Sequence, residues 1–356
     1  MKNNFLLAIT LILLSFLSCS SDNQIDEPNP PTNLSISGVI FGADTNNPNG
    51  DGSGVVDFTI TATNATSYKV LINNETLELT QNTFSYTFTQ GGTNNYEIIV
   101  AAYNSSGNTS VTYSLSVYVK TELALIWQDE FDANGAPNSA NWGYNTGTGD
   151  NGWGNNESQY YTDRLDNAKV ENGVLKITAK KESFGGSEYT SARLITAGKF
   201  EFTYGRVDVR AKLPAGGGVW PAIWMLGANF GSVGWPACGE IDIMEYVGNN
   251  PGQISSALHT TSSSGNTVNH KVTSISNETT EFHIYSAIWT ESSITFLLDD
   301  VEYYTYNPST KNNDTWPFYN NQFLILNIAM GGNLGGTIDP NFDVSTMEID
   351  YVRVYQ

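Results

Sequence analysis

The chain has 356 residues, 40% of them hydrophobic, which is enough for two domains, one with a sizeable core. Its 36 acidic against 16 basic residues give a formal charge of −20. That balance repels nucleic acid and leaves no basic patch to override it, so no nucleic-acid partner is expected and a neutral or weakly charged ligand is.

The chain begins MKNNFLLAITLILLSFLSCSSDN, with one lysine, a hydrophobic run and then small residues before Cys19. This is the pattern of a secretory leader over residues 1–18, too short for a membrane span. FLSC resembles a bacterial lipobox, with Phe16 where a residue such as Leu is more usual. Cys19 is the expected lipidation site, anchoring an exported protein to a bacterial cell envelope without a spanning helix. The other cysteine is Cys238, so acylation of Cys19 leaves no intramolecular disulfide. Cys238 reads as a small buried apolar residue rather than a reactive thiol.

Residues 19–33 are polar and Pro-rich and read as a flexible tether. Over residues 34–120 the chain alternates in period two through VDFTI, YKVLI, FSYTF, YEIIVA and VTYSLSVYV, separated by Asn/Gly/Ser clusters. That spacing predicts a small all-β sandwich. The pattern resembles the polycystic-kidney-disease and related immunoglobulin-like modules. Residues 124–356 hold all eight tryptophans and again alternate strand and turn, through GVLKITAKK, GKFEFTYGRVDVRAKL, SITFLLDDVEYYTY, FLILNIAM and MEIDYVRVYQ. No stretch has sustained helical periodicity, so a large two-sheet jelly roll is expected.

Within it, GWPACGEIDIMEYVG places Glu240, Asp242 and Glu245 on one predicted strand. Side chains alternate along a strand, so Glu240 and Asp242 share a face while Glu245 should point to the other, with Ile241 and Ile243. A lone carboxylate on the core face would cost several kcal/mol. One extra residue, a β-bulge near Ile243 or Met244, returns Glu245 to the face of the other two acids. Their Cα atoms are then about 13 Å apart, and leaning side chains bring the carboxyl groups to about 5–6 Å. That separation suits a retaining glycosidase, with Glu240 as nucleophile, Glu245 as acid/base and Asp242 supporting them. Spacing alone also admits a calcium site or a solvated face. Trp220, Trp224 and Trp235 flank the strand, and indole faces stack on sugar rings, which favours a glycan.

GEIDIME is similar to the E-x-D-x-x-E signature of glycoside hydrolase family 16 in its bulged, laminarinase-like form. DEF at 129–131, GWGNNESQYYT at 152–162, YTSARLIT at 189–196, YGRVDVRAKLP at 204–214, GVWPAIWMLG at 218–227, LHTT at 258–261, FHIYSAIW at 282–289, ILNIAMGG at 325–332 and the C-terminal IDYVRVYQ resemble that family in order. The resemblance implies a concanavalin-like jelly roll and a monomeric retaining endo-hydrolase of β-glucan, foremost an endo-β-1,3-glucanase. Mixed-linkage glucan, an agarose-type galactan or glycan binding without catalysis are the alternatives. It implies sugar contacts by Asn156 and Arg193, cleft aromatics at Trp220, Trp224 and Trp235, and His259 near the catalytic centre. Glu157 reads equally as a sugar ligand or a surface acid, and His259 also as a buried histidine satisfied by backbone. No catalytic cofactor is implied, but a structural Ca2+ is, through Glu130, Asp350 and the Gly173 carbonyl.

Overall fold

A computed structural model describes residues 29–121 and 123–356, so the leader, Cys19 and most of the expected tether lie outside the described residues. The chain divides into two compact units at Glu122. Among the described residues no helix is long and apolar enough to cross a membrane.

The N-terminal unit has a three-stranded and a four-stranded antiparallel sheet. All five expected segments are strands, and the alternation has its predicted cause. Val56, Phe58 and Ile60 from one sheet and Val70, Ile72, Ile98 and Val100 from the other share one core. The first strand, Thr32–Ile40, starts inside the expected tether. Thr32 pairs with Thr63 across a register shift at Asn33, whose φ is 55°. Composition made Thr32 and Asn33 look like linker, but an edge strand takes its hydrogen bonds from its partner.

The C-terminal unit is the expected jelly roll, a seven-stranded and a ten-stranded sheet. Ile223, Met225, Ile241, Leu324 and Leu326 of the first pack with Val207, Val209, Ile349 and Val352 of the second in one core. Along the seven-stranded sheet the order is His270–Ser274, Gln253–His259, Glu240–Tyr246, Val219–Gly227, Gln322–Met330, Arg193–Ile195 and Gly143–Asn145. Gln322–Met330 is buried at every position, which explains its unbroken apolar run FLILNIAM. The segment GKFEFTYGRVDVRAKL is not one strand. Tyr204 has a φ of 64°, the strand begins at Gly205, and Phe202 bridges instead to Gln322. A Cβ on Gly205 would lie 2.2 Å from the Tyr355 carbonyl oxygen, so only glycine passes there.

Candidate active site

The strand Glu240–Tyr246 carries the predicted bulge. Against Val219–Gly227 the register runs Glu240 to Leu226, Asp242 to Trp224, then Met244 to Ile223 and Glu245 to Ala222. Ile243 is therefore the extra residue. Ile241, Ile243, Met244 and Tyr246 all enter the core, and the three acids leave on the opposite face. The bulge frees the Ile243 carbonyl, which accepts a 2.7 Å hydrogen bond from the Ser256 hydroxyl on the adjacent strand. Ser256 has then used its proton, so its contact with Tyr303 is one that the phenol donates.

Neighbouring strands dress the acids. Glu240 faces His259 across the ladder, Asp242 faces Ala257 and Glu245 faces Ser255. His259 places Nε2 3.2 Å from Asp242 Oδ2 and 3.7 Å from Glu240 Oε1. Its Nδ1 has no partner among the described residues, so no backbone group holds the ring, and Nε2 meets the acids by charge proximity rather than through an aligned hydrogen bond. The Trp235 indole N–H donates to Glu240 Oε2 at 3.0 Å, and that of Trp220 to Glu245 Oε1 at 3.1 Å. Trp235 is 46% exposed and Trp220 only 9%, so Trp235 offers a broad open face while Trp220 chiefly holds a carboxylate.

All three acids are protonated more readily than usual. Burial, then repulsion from Asp242 and Glu245, pushes Glu240 up to about 8, although the charges of His259 and Arg193 pull against this. Burial and the Glu245 charge hold Asp242 well above the carboxylate range. Burial also raises Glu245, opposed by His259 and by the Trp220 N–H. Three carboxyl groups this close cannot all ionise. The Asp242 side chain is 6% exposed against 17% for Glu240, so of the two Asp242 is the better held neutral.

Arg193 lies in the register row of Asn327, Ala222 and Glu245. Its guanidinium sits 4.5 Å from the Trp153 ring and 4.7 Å from the Trp224 ring, and burial lowers its pKa. It makes no ion pair with a carboxylate among the described residues, and its Nε is buried without a partner. Trp153 comes from the turn Gly152–Asn156, where Asn151, Trp153 and Asn156 have φ of 50°, 56° and 57°. An indole in left-handed backbone is uncommon and needs surroundings that hold it. Asn156 is exposed, and its Nδ2 donates to Asn333 Oδ1 at 2.8 Å. Glu157 is not a surface acid: it accepts hydrogen bonds from Gln159, Tyr161 and Asn155. Sequence reading missed Trp153, Tyr161, Gln159 and Asn327; a lone Asn inside FLILNIAM was the only available signal for the last.

The residues expected to hold calcium are otherwise engaged. Glu130 receives both Arg353 N–H groups at 2.7 and 2.9 Å, and Asp350 receives Arg210 at 2.5 Å. The donor types suit a hard cation, but as arranged both carboxylates are spent on guanidinium groups and do not fit one. Glu130 also borders an open depression of about 470 Å³ with Asp129 and Asp132, and Glu240, Asp242 and Glu245 do not line it. Cys238 is fully buried and burial pushes its thiol up to about 11, as expected of an inert residue.

Comparison with known proteins agrees with this geometry. The profile of the family described as "Glycosyl hydrolases family 16" matches residues 153–353. The chain is similar to a beta-glucanase of Rhodothermus marinus, 45% identical over 245 residues, covering 65% of this chain and 85% of that protein. It is also similar to glucan endo-1,3-beta-glucosidase A1 of Niallia circulans, 38% identical over 262 residues, covering 66% of this chain and 38% of that protein. Among solved structures, the laminarinase of Flavobacterium sp. UMI-01 superposes with a TM-score of 0.62 at 47% identity, covering 65% of this chain and all of that one. With the bulged acidic strand and both glutamates in place, the chain belongs to glycosyl hydrolase family 16.

Proposed function

We propose that this protein is an endo-hydrolase of β-glucans that cuts β-1,3 linkages with retention of anomeric configuration. One observation carries the reading: the bulge brings Glu240 and Glu245 to one face with Asp242 between them, and each glutamate is held by an indole N–H. The names borne by the relatives in Rhodothermus, Niallia and Flavobacterium support glucan as the substrate.

Glu245, kept protonated by burial, donates its proton to the glycosidic oxygen as the bond to the anomeric carbon breaks. Glu240, ionised while Asp242 stays protonated beside it, attacks that carbon and forms a glycosyl ester. Glu245, now ionised, takes a proton from water, and the resulting hydroxide displaces Glu240. Two inversions give net retention. The open faces of Trp235 and Trp224 and the unpaired N–H groups of Arg193 offer apolar and polar contacts to sugar rings.

The test is release of reducing sugar by the full chain from laminarin, lichenan, agarose, κ-carrageenan and xyloglucan. Release from laminarin that is abolished by Glu240→Gln supports the reading. Release from another member alone would overturn the substrate and keep the chemistry.

Export and lipidation at Cys19 rest on residues 1–19 alone, and incorporation of labelled palmitate in the producing cell would test them. The three-plus-four strand arrangement of the N-terminal unit supports an immunoglobulin-like module. A single species of about 39 kDa in light scattering is expected for a monomer of this 38.8 kDa chain. Calcium at Glu130, Gly173 and Asp350 would have to displace Arg353 and Arg210, and a rise in melting temperature on adding it would show that it does.

A further inference from the structure

Trp224 and Glu157 are joined by two side chains, Asn327 and Tyr161, to which the sequence reading gave no role. The Trp224 indole N–H donates to Asn327 Oδ1 at 2.8 Å, Asn327 Nδ2 donates to the Tyr161 hydroxyl at 3.0 Å, and that hydroxyl donates to Glu157 Oε2 at 3.2 Å. We propose that Asn327 and Tyr161 are positioning residues, forming with Glu157 a one-way hydrogen-bond chain that holds the Trp224 ring, and with it the Arg193 guanidinium, in the attitude that receives the glucan. The proposal rests on the glucanase reading for its substrate but not for its geometry.

The chain has only one consistent direction. An indole N–H donates and never accepts, so Asn327 must present its oxygen to Trp224. The amide nitrogen then faces Tyr161, and the phenol, having accepted, sends its own proton to Glu157. Glu157 must offer lone pairs there, and it accepts from Gln159 Nε2 at 2.6 Å as well. Gln159 cannot flip either, because its Oε1 takes the Met330 backbone N–H at 2.7 Å. Asn327 is 5% exposed and Gln159 and Tyr161 0%, so water cannot substitute for these partners. Buried and fully satisfied networks of this kind specify one arrangement of their members.

What the chain orients is the wall of the Arg193 site. The guanidinium packs against both the Trp224 and the Trp153 rings, and it draws on the charge of Glu157 without an ion pair to it. If the Trp224 ring turns, Arg193 loses half of its stacking and the direction of its N–H groups. None of these four residues touches Glu240 or Glu245 through a hydrogen bond, and the Arg193 charge is the smallest of the influences on Glu240, so the effect falls on binding before the chemical step.

Kinetics on laminarin with Tyr161→Phe, Asn327→Leu and the double variant test this. Each single change should raise KM about five- to tenfold with kcat within about twofold, and the double variant should be no worse than Asn327→Leu. Multiplying effects in the double variant, or a lower kcat at unchanged KM, would overturn the proposal. A second readout needs no substrate: the Trp224 indole N–H resonance in the full chain, assigned by its loss in Trp224→Phe. It should shift in Tyr161→Phe, which removes one hydroxyl and keeps the ring that packs beside Trp153; a resonance that stays put overturns the chain. If the resonance shifts but no β-glucan is cleaved, the glucanase reading fails and the positioning of Trp224 stands. If laminarin is cleaved and the resonance does not move, the positioning chain fails alone.

Discussion

His259 lies across the strand ladder from Glu240, and its Nε2 reaches both Glu240 and Asp242, at 3.7 and 3.2 Å. One imidazole therefore stands beside two buried acids. Its positive charge pulls the Glu240 pKa down against burial and repulsion. His259→Asn removes that pull, so the nucleophile ionises only at higher pH. The acid limb of kcat/KM should move up by about half a unit or more, with lower activity at its optimum. A pH–rate profile checks this; an unmoved acid limb would mean that His259 does not act on the ionisation of the pair.

Stability should show the same strain. The folded-state pKa of Glu240, about 8, exceeds its ordinary value of 4.5. A raised carboxyl pKa contributes stability below the ordinary value and loses it as pH climbs through the folded value. Glu240→Gln removes the charge that the fold resists. Its melting temperature should exceed that of the parent by about 4 °C or more at pH 9, and the gap should narrow toward pH 5. Equal melting at both pH values would show that Glu240 is not destabilised by burial.

Retention can be read directly. If the two glutamates act as nucleophile and acid/base across about 5–6 Å, the first product anomer seen by proton NMR on a β-glucan will be β. Early α-anomer would place a water between the carboxylates and sink the covalent route. Glu240→Gln and Glu245→Gln should each lower kcat on laminarin by about a hundredfold or more, and an aryl glucoside with a good leaving group should spare the second more than the first.

The bulge should be measurable apart from the acids. Ser256→Ala removes the donor to the Ile243 carbonyl and the acceptor for Tyr303. Two buried polar groups lose their partner, so stability should fall by about 1–3 kcal/mol in urea unfolding, with kcat reduced as Glu245 loses its fixed direction. Deleting Met244 is the sharper change. It removes the extra residue and leaves Glu240, Asp242 and Glu245 alternating on one face of a regular strand, so the chain should still fold, at a cost of about 2–5 kcal/mol for the lost buried side chain, whereas Met244→Leu should cost less than about 1.5 kcal/mol and keep activity. A Met244 deletion that leaves no folded protein would show that the bulge does more than place Glu245 on the face of Glu240.

Much of this protein was legible before any coordinates. The period-two runs marked most strands, and the count of residues between Glu240 and Glu245 demanded the bulge that the register at Ile243 contains. Both are local properties, since alternation along a strand links spacing to face within a few residues. The misreadings were also local. Thr32 and Asn33 look like linker, and Phe200–Tyr204 looks like strand, until a distant partner decides where hydrogen bonding starts and stops.

By itself the sequence determined the all-β class, the location of the three acids and their common face, because those follow from chain chemistry over a handful of residues. Only the tertiary structure decided what holds each functional group. Trp224 meets Asn327 103 positions later, Asn327 meets Tyr161 166 positions earlier, and Arg353 meets Glu130 across 223. Such partners are set by sheet order and register, and a hydrogen bond formed across that separation leaves no periodic trace in either segment.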